Sequence, residues 1–368
     1  MVAALQDLSV LDFSRVLAGP FATMMLADLG AEVVKVERPG TGDETRQWGP
    51  PYDPAGNSTY FQAVNRNKRS LVLDLAGADG RTRARQLARS ADVVVENFRP
   101  GKMDELGLGY DDLRRDNPRL IFCSITGFGP RAGGPPGYDL LAQALGGLMS
   151  ITGDPEGPPT KVGVALVDVL AGLFATAGIL AAVIHRERSS EGQRVEVDLM
   201  SALLAALVNQ GSAFTAGRVV PERMGNRHPS IAPYELFRCA EEELVIAVGN
   251  DRQFAALCDV LGAAELAGDA RFATNPDRVA NRQALTEELE LRLATRSAGE
   301  WAALMTDARV PAGKVNDIAG AFALAERLGL EPIVEIPDDD GRQVRLTRNP
   351  IGLSATPPAY RLAPPRLA

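Results

Sequence analysis

The sequence has few of the side chains on which metal centres and disulfide-bonded folds depend. Its 368 residues include two histidines and three cysteines, and the cysteines are far apart and form no CxxC pair. A metal centre built from several histidines is therefore excluded, and a Ser-His-Asp triad would have to use His185 or His228. Isolated cysteines in an odd number predict reduced thiols in a cytoplasmic protein and no zinc site.

Positive charge is also in short supply. There are 39 Lys and Arg residues against 47 Asp and Glu residues, a net charge of −8. This balance disfavours an overall basic nucleic-acid binder, so we expect no nucleic-acid partner. The N-terminus has no cationic segment followed by a long apolar run, so we predict no signal peptide.

One apolar run, residues 163–184, is long enough to cross a bilayer and carries a single charge, Asp168. Its Ala and Gly content is high, and the sequence has no second run of this kind. We therefore predict a buried core helix and no membrane partner.

The first half of the chain alternates between strand and helix patterns, which predicts a doubly wound α/β domain with ligands at the carboxyl ends of its strands. The predicted strands are 8–13, 32–36, 71–75, 93–96 and 120–125, with helices at 21–29, 80–90 and 111–115. The length indicates two domains. We place a boundary in the turn-rich segment 217–233, after which a hairpin at 235–239 and 244–248 and several helices predict a smaller α+β domain.

The turn after the first strand does not carry a dinucleotide fingerprint. That fingerprint requires GxGxxG at the start of the helix, whereas the turn here reads VLAGPFA with one glycine. A GxxxxGK[ST] phosphate loop is absent as well. A nucleotide bound to this domain must therefore be held in another way.

Asp168 is the most informative residue, because burying an ionised carboxylate without partners costs several kcal/mol or more. One interpretation is structural: Asp168 would cap the N-terminus of a helix at 169–184. The other is functional: a carboxylate at a helix N-terminus on a pocket floor stays ionised and can act as a nucleophile. The two are compatible.

Other candidates follow predicted strands. Asn97, Phe98 and Arg99 combine an amide, an aromatic face and a cation, a set that can hold an adenine nucleotide. Trp48 lies in a loop, where it either lines a site or anchors the loop. Basic residues of the first third either bind an anion or form a solvated surface; they are Arg38, Arg46, Arg66, Lys68, Arg69, Arg99 and Lys102.

Four blocks of sequence resemble the family III CoA-transferases, the group that includes formyl-CoA transferase and carnitine CoA-transferase (the CaiB/BaiF type). They are VLDFSRVLAGPFATMMLADLGAEVVKVERPGTGDETR, NRNKRSLVLDL, ADVVVENFRPG and GVALVDVLAGLFA. The resemblance runs in order through nearly the whole chain. It implies an interlocked homodimer, with a Rossmann-like large domain at 1–215 completed by 316–368 and a small domain at 216–315.

The resemblance also implies a mechanism without metal or tightly bound cofactor, in which coenzyme A and acyl-CoA are substrates and a small carboxylic acid is the acceptor. Asp168 matches the family's catalytic aspartate, which attacks the acyl-CoA thioester and forms an anhydride and then an aspartyl-CoA thioester. The positions that match the family's CoA contacts are Leu17, Ala18, Arg38, Leu73, Asp74, Leu75, Ala76, Asn97, Phe98, Arg99 and Tyr138.

Two departures from the formyl-CoA enzymes bear on the substrate. Those enzymes have a glutamine where this chain has Leu17, and a run of glycines where this chain has residues 226–231. Formyl-CoA/oxalate exchange is therefore disfavoured, and succinyl-CoA or another dicarboxylic acyl-CoA is the predicted donor. Trp48, Arg227 and His228 are the candidate substrate residues, the last two for a remote carboxylate.

Two alternatives remain. Racemases of the same fold, which act on 2-methylacyl-CoA, use a His-Asp pair where this chain has Tyr138 and Asp139, and a tyrosine of pKa near 10 is a poor base at neutral pH. A non-catalytic CoA-binding protein would keep Arg38 and Asn97 but would not require a carboxylate at position 168.

Overall fold

A parallel sheet of six strands organises the larger of two compact units. The computed structural model describes residues 3–129, 131 and 135–368. The larger unit contains Met1–Met149, Lys161–Pro221 and Glu331–Ala368, and the smaller contains Ser150–Thr160 and Glu222–Leu330. The chain thus passes between units at residues other than the predicted limits of 216 and 315, and a short segment near residue 155 belongs to the smaller unit.

The strands, in chain order, are β1 (Ser9–Asp12), β2 (Glu32–Glu37), β3 (Lys68–Val72), β4 (Val93–Glu96), β5 (Ile121–Thr126), β6 (Arg194–Asp198), β7 (Tyr234–Arg238), β8 (Glu243–Ala247), β9 (Ala312–Lys314), β10 (Ile333–Pro337) and β11 (Gln343–Thr347). The helices are α1 (Ala18–Asp28), α2 (Thr59–Ala63), α3 (Ala78–Ser90), α4 (Lys102–Glu105), α5 (Tyr110–Asp116), α6 (Asp139–Leu145), α7 (Leu148–Ile151), α8 (Leu166–Ser189), α9 (Leu199–Ala206), α10 (Val208–Thr215), α11 (Asp251–Val260), α12 (Ala264–Gly268), α13 (Asn275–Ala280), α14 (Arg282–Leu293), α15 (Ala298–Asp307) and α16 (Ile318–Arg327). A short 3₁₀ helix spans Glu44–Gln47.

The sheet order is β3-β2-β1-β4-β5-β6, with all neighbours parallel. Both faces are covered, as expected for a parallel sheet of apolar strands. Along β4, Val93 and Val95 pack in the layer of α1 and α8, whereas Val94 packs in the layer of α3 and α5. The predicted α/β fold with a Rossmann-like large domain is confirmed, and the smaller unit is α+β, with an antiparallel sheet β7-β8-β9 beside its own helices.

The third strand lies three residues earlier than predicted, at Lys68–Val72 rather than 71–75. It pairs with β2 from Val33↔Lys68 to Glu37↔Val72. Apolar periodicity missed its start because Lys68 is charged, yet the residue is buried in an ion pair with Asp12 at 3.2 Å. A charged residue can occupy this strand because its counter-ion, Asp12, is buried at the end of β1 in the same sheet.

The long apolar helix α8 packs one face against α1. Val167, Ala171, Ala175 and Ile179 form that buried face. At Gly172 a Cβ would stand 2.7 Å from the carbonyl oxygen of Ala18, so only glycine permits this approach. The opposite face exposes large apolar side chains, and α8 is the one helix of the described residues whose length and composition would let it span a membrane.

The C-terminal segment completes the larger unit. Arg66 bonds both to the buried carboxylate of Asp28 and to the Thr347 carbonyl. Asn67 donates its backbone N–H to the Leu362 carbonyl at 2.8 Å. The last 38 residues are therefore tied to the sheet that the first half of the chain forms.

Candidate active site

Asp168 is the third residue of α8, and its side chain is partly buried. Within residues 3–129, 131 and 135–368, no hydrogen bond to its carboxylate contributes to the electrostatics of this group. Burial, and secondarily the charge of Asp139, raise its pKa from 3.8 to about 7. The prediction that Asp168 caps a helix beginning at 169 is wrong, because the helix begins at Leu166 and its N-cap is Ala165.

Asp139, the first residue of α6, supplies the acceptor that the start of α8 needs. Its Oδ1 accepts the backbone N–H groups of Val167 at 2.8 Å and of Asp168 at 3.3 Å. Its Oδ2 accepts the Nε2 group of buried Gln143 at 2.7 Å. Since Asp139 satisfies the helix terminus, the carboxylate of Asp168 is left without a structural task.

The charge of Asp168 also affects the pKa of Tyr60, on α2. Burial and then the charges of Asp168, Asp139 and Asp43 raise the pKa of its hydroxyl to about 12. Its ring meets Trp48 edge to face at 5.2 Å, and both side chains line a cavity of about 490 Å³. The predicted substrate residue Trp48 therefore lies beside a tyrosine that stays protonated near the candidate nucleophile.

Two residues that follow β4, Asn97 and Phe98, contact the turn between β1 and α1. The side-chain amide of Asn97 accepts the N–H of Arg15 at 2.8 Å and donates to the Arg15 carbonyl at 2.7 Å. The guanidinium of Arg15 lies over the ring of Phe98, 4.9 Å from its centroid. Leu17, half-buried, and Ala18, buried, follow directly. The predicted residues after β1 and β4 thus meet where the strand order reverses, the usual ligand position in such sheets.

Further predicted contacts lie along the same edge of the sheet. Arg38, after β2, bonds the Gly42 carbonyl and the carboxylate of Glu44. Residues Leu73, Asp74, Leu75 and Ala76 follow β3, where the Asp74 carboxylate accepts the Ala76 N–H at 3.0 Å. Because parallel strands end at one edge, these segments share a rim with the turn after β1.

Two predicted cations at this rim are already paired or exposed. Arg99 forms an ion pair with Glu105, and Lys102 bonds the same carboxylate. Both pairs are exposed, so they contribute little to stability and remain free to rearrange. Tyr138, which precedes α6, is 63% exposed.

Arg227 and His228 belong to the smaller unit, not to the unit that carries Asp168. Arg227 pairs with Glu235 at 3.3 Å. The Nδ1 atom of His228 accepts the Ser230 N–H at 3.1 Å, which leaves Nε2 as the nitrogen that carries hydrogen in the neutral ring. Arg282 bonds the His228 carbonyl at 2.7 Å and so fixes this loop.

Sequence reasoning missed three side chains that shape the electrostatics of the site, through Asp168 or through Tyr60. Tyr60 and Asp43 were not considered, and Asp139 was weighed only as half of a racemase pair. Asp43 had a local signal, since GTGDET places an acidic residue just before a helical turn. In the described part of the chain, no group of three or more His, Cys, Asp or Glu side chains is arranged to hold a metal ion.

Comparisons with known proteins agree over nearly the whole chain. A model of CoA-transferase family III matches residues 5–368. Succinate–glutarate CoA-transferase of Agrobacterium fabrum is 41% identical over 372 residues, covering 99% of this chain and 92% of that protein. Acetyl-CoA:oxalate CoA-transferase of Acetobacter aceti is 42% identical over 352 residues, covering 94% and 88%. The crystal structure of a CAIB/BAIF family protein from Brucella suis matches with a TM-score of 0.87 at 42% identity, covering 100% of this chain and 97% of that one.

Proposed function

The chain belongs to CoA-transferase family III, and we propose that it moves coenzyme A from a dicarboxylic acyl-CoA, succinyl-CoA being the first donor to test, to a free dicarboxylic acid. Acyl-CoA and carboxylic acid are both substrates, and no tightly bound cofactor takes part. One observation carries the proposal: a desolvated carboxylate, Asp168, has no structural partner at the start of a helix whose terminus another carboxylate already satisfies.

The reaction begins when an oxygen of ionised Asp168 attacks the thioester carbonyl of the donor. The C–S bond breaks, CoA leaves as a thiolate, and a mixed anhydride remains on Asp168. The thiolate then attacks the Asp168 carbonyl of the anhydride, which releases the donor acid as a carboxylate and forms an aspartyl-CoA thioester. Each step exchanges one acyl bond for another, so no oxidant, reductant or metal is consumed.

The acceptor completes the cycle by the same chemistry in reverse. Its carboxylate attacks the aspartyl thioester, CoA leaves as a thiolate, and a second anhydride forms. The thiolate attacks the acceptor carbonyl of that anhydride, which produces the new acyl-CoA and frees the Asp168 carboxylate. A nucleophile with a raised pKa is well suited to this task, because it is weakly solvated and becomes ionised near neutral pH.

Dicarboxylic acids are the proposed substrate class because the compared relatives are named for succinate, glutarate and oxalate. We propose that Arg227 or His228 meets the remote carboxylate of the acid. Replacement of either by Ala is then expected to raise the KM for a dicarboxylic acceptor and to leave the KM for a monocarboxylic acceptor unchanged. An unchanged KM for both acceptors in both variants would dismiss this role.

We further propose an interlocked homodimer. Large apolar side chains lie exposed on α8, α9 and α10, among them Phe174, Leu204, Val208 and Phe214. Removing such side chains from water is worth about 25 cal/mol per Å² of apolar surface. Light scattering is expected to give twice the chain mass, and exchange of subunits between two tagged preparations is expected only after unfolding. A monomer, or rapid exchange, would refute the proposal.

The direct test is a matrix of acyl-CoA donors against free acids, read by mass spectrometry of the CoA products. Transfer to dicarboxylic acids is expected in the wild type and no transfer in Asp168→Ala, which should still bind CoA. Substantial turnover by Asp168→Ala would overturn the mechanism. Incubation of a 2-methylacyl-CoA in D2O is the control for racemase activity, and deuterium at C2 without CoA transfer would favour that alternative.

A further inference from the structure

Asp43 is a buried carboxylate that the proposed reaction does not use. It forms an ion pair with the Nζ atom of Lys35 at 2.8 Å, and both side chains are 0% exposed. It also accepts the N–H of Val16 at 3.2 Å and the N–H and hydroxyl of Thr45 at 3.0 and 2.8 Å. One carboxylate therefore touches the β1–α1 turn on one side and the 3₁₀ helix on the other.

The two segments that Asp43 contacts both continue into residues of the candidate site. Val16 precedes Leu17 in the β1–α1 turn. The 3₁₀ helix that Asp43 caps is followed directly by its C-cap residue, Trp48, whose N–H donates to the Thr45 carbonyl at 3.2 Å. Lys35 adds a further link, because its Nζ also donates to the Ser14 carbonyl at 2.8 Å, just before the turn.

The turn needs such support because its backbone is strained. Val16 has φ = 67°, a left-handed conformation that β-branched residues rarely adopt. Strained residues persist only where their surroundings hold them, and they concentrate at functional sites. Asn97 holds the preceding residue, and Asp43 holds Val16 itself.

The charge on Asp43 is maintained by its partners. Burial alone would raise the pKa of this carboxyl, but the Lys35 ammonium and the Thr45 hydrogen bonds outweigh burial and lower it. A buried ion pair is commonly no more stabilising than apolar groups of the same size. Its presence here therefore points to a role in geometry rather than in stability.

We propose that Asp43 is a positioning residue, which with Lys35 couples the β1–α1 turn to the Trp48 loop and so sets the walls that hold acyl-CoA against Asp168. This inference rests on the proposed function. Its structural half, the coupling of the turn to Trp48, does not require turnover and can be tested without substrate.

The test is Asp43→Asn, with Asp53→Asn as the matched control. Asp53 lies in the same part of the chain and accepts the N–H groups of Ala55 and Asn57 and the side-chain amides of Asn57 and Gln62, but it has no hydrogen bond to Lys35, Val16 or Trp48. Asp43→Asn is expected to lower kcat roughly 10²-fold, the loss typical of a misplaced substrate, with a smaller rise in the KM for acyl-CoA. Asp53→Asn is expected to leave both within twofold.

The readout without substrate is the emission maximum and acrylamide quenching of Trp48, obtained by subtracting Trp48→Phe so that Trp301 does not contribute. Both are expected to change in Asp43→Asn and not in Asp53→Asn. An unchanged Trp48 signal, or a kcat within twofold of wild type, overturns the proposal. If the wild type transfers no CoA with any donor, the proposed function fails while the Trp48 measurement still decides the coupling.

A second variant tests the proposal even if Asp43→Asn fails to fold. Lys35→Met combined with Asp43→Leu replaces both buried charges by apolar groups and removes the acceptor for Val16. The same loss of kcat is expected in a folded protein, and Val16→Gly added to this double variant is expected to restore part of it by relieving the strain. Wild-type kcat in the double variant would contradict a positioning role.

Discussion

Replacing Asp168 by Asn is expected to make the protein more stable while abolishing CoA transfer. The fold opposes ionisation of this carboxyl, since its pKa is raised from 3.8 to about 7 by burial and by Asp139. Each unit of pKa difference corresponds to about 1.4 kcal/mol, so the ionised form costs the folded state roughly 4 kcal/mol above pH 7. The amide has a similar shape and no charge.

The stability gained by Asp168→Asn must depend on pH, and the raised pKa of Asp168 determines whether it grows or shrinks as the pH rises. Between pH 3.8 and about 7 the folded protein holds the proton of Asp168 and the unfolded chain releases it. The wild type therefore loses stability through this group as the pH rises across that window, and the loss is complete above it. The gain from Asp168→Asn is thus about 4 kcal/mol at pH 8 and less than half of that at pH 5.

Urea unfolding of wild type and Asp168→Asn at pH 5 and pH 8 measures both values. Asp53→Asn is a suitable control, because that carboxyl has a lowered pKa and hydrogen bonds that an amide only partly replaces. Asp53→Asn is expected to lose stability at pH 8. The reasoning is refuted if Asp168→Asn is less stable than wild type at pH 8, or if its gain is the same at both pH values.

Three further predictions concern the neighbours of the nucleophile. Asp139→Asn keeps an acceptor for the start of α8 but removes a charge, so the acid limb of the kcat/KM profile, expected near pH 7 for Asp168, should move to lower pH; an unmoved limb would exclude the electrostatic link. Tyr60→Phe keeps the ring but removes a protonated hydroxyl whose pKa the charge of Asp168 raises. We expect kcat to fall about tenfold and stability to stay within about 1 kcal/mol, and an unchanged kcat would show that the hydroxyl takes no part. Gly172→Ala places a Cβ 2.7 Å from a carbonyl oxygen of α1 and should cost about 1–3 kcal/mol in thermal or urea unfolding. Gly299→Ala, on α15, adds a Cβ with no atom of another element within 4 Å and should be neutral or stabilising.

Much of the fold follows from apolar patterning. Strands such as β4 and β5 are short apolar runs, buried on both faces, and a pattern of this kind is visible in the sequence without knowledge of partners. The start of β3 was not predictable, because Lys68 is charged and its counter-ion Asp12 lies 56 residues away in the chain. Patterns report how a segment is buried but not which distant group compensates a charge.

Part of the candidate site could likewise be predicted from the sequence, and part could not. Asp168 could be singled out because a lone carboxylate in an apolar run is conspicuous whatever surrounds it. Its role as an N-cap was a wrong prediction, since helix starts are set by acceptors such as Asp139, 28 residues upstream of the N–H group it binds. Asn97 was identified as a candidate, but its bonds to Arg15 span 82 residues and could be seen only in the folded chain.

The central claim is that Asp168 carries the acyl and CoA groups covalently. The most direct measurement mixes the protein with succinyl-CoA in the absence of acceptor, quenches with hydroxylamine, and maps the modified residue by peptide mass spectrometry. The account predicts a hydroxamate on Asp168 and on no other carboxyl, and none when free CoA replaces succinyl-CoA. An unmodified Asp168 in a preparation that transfers CoA to an added acid would contradict it.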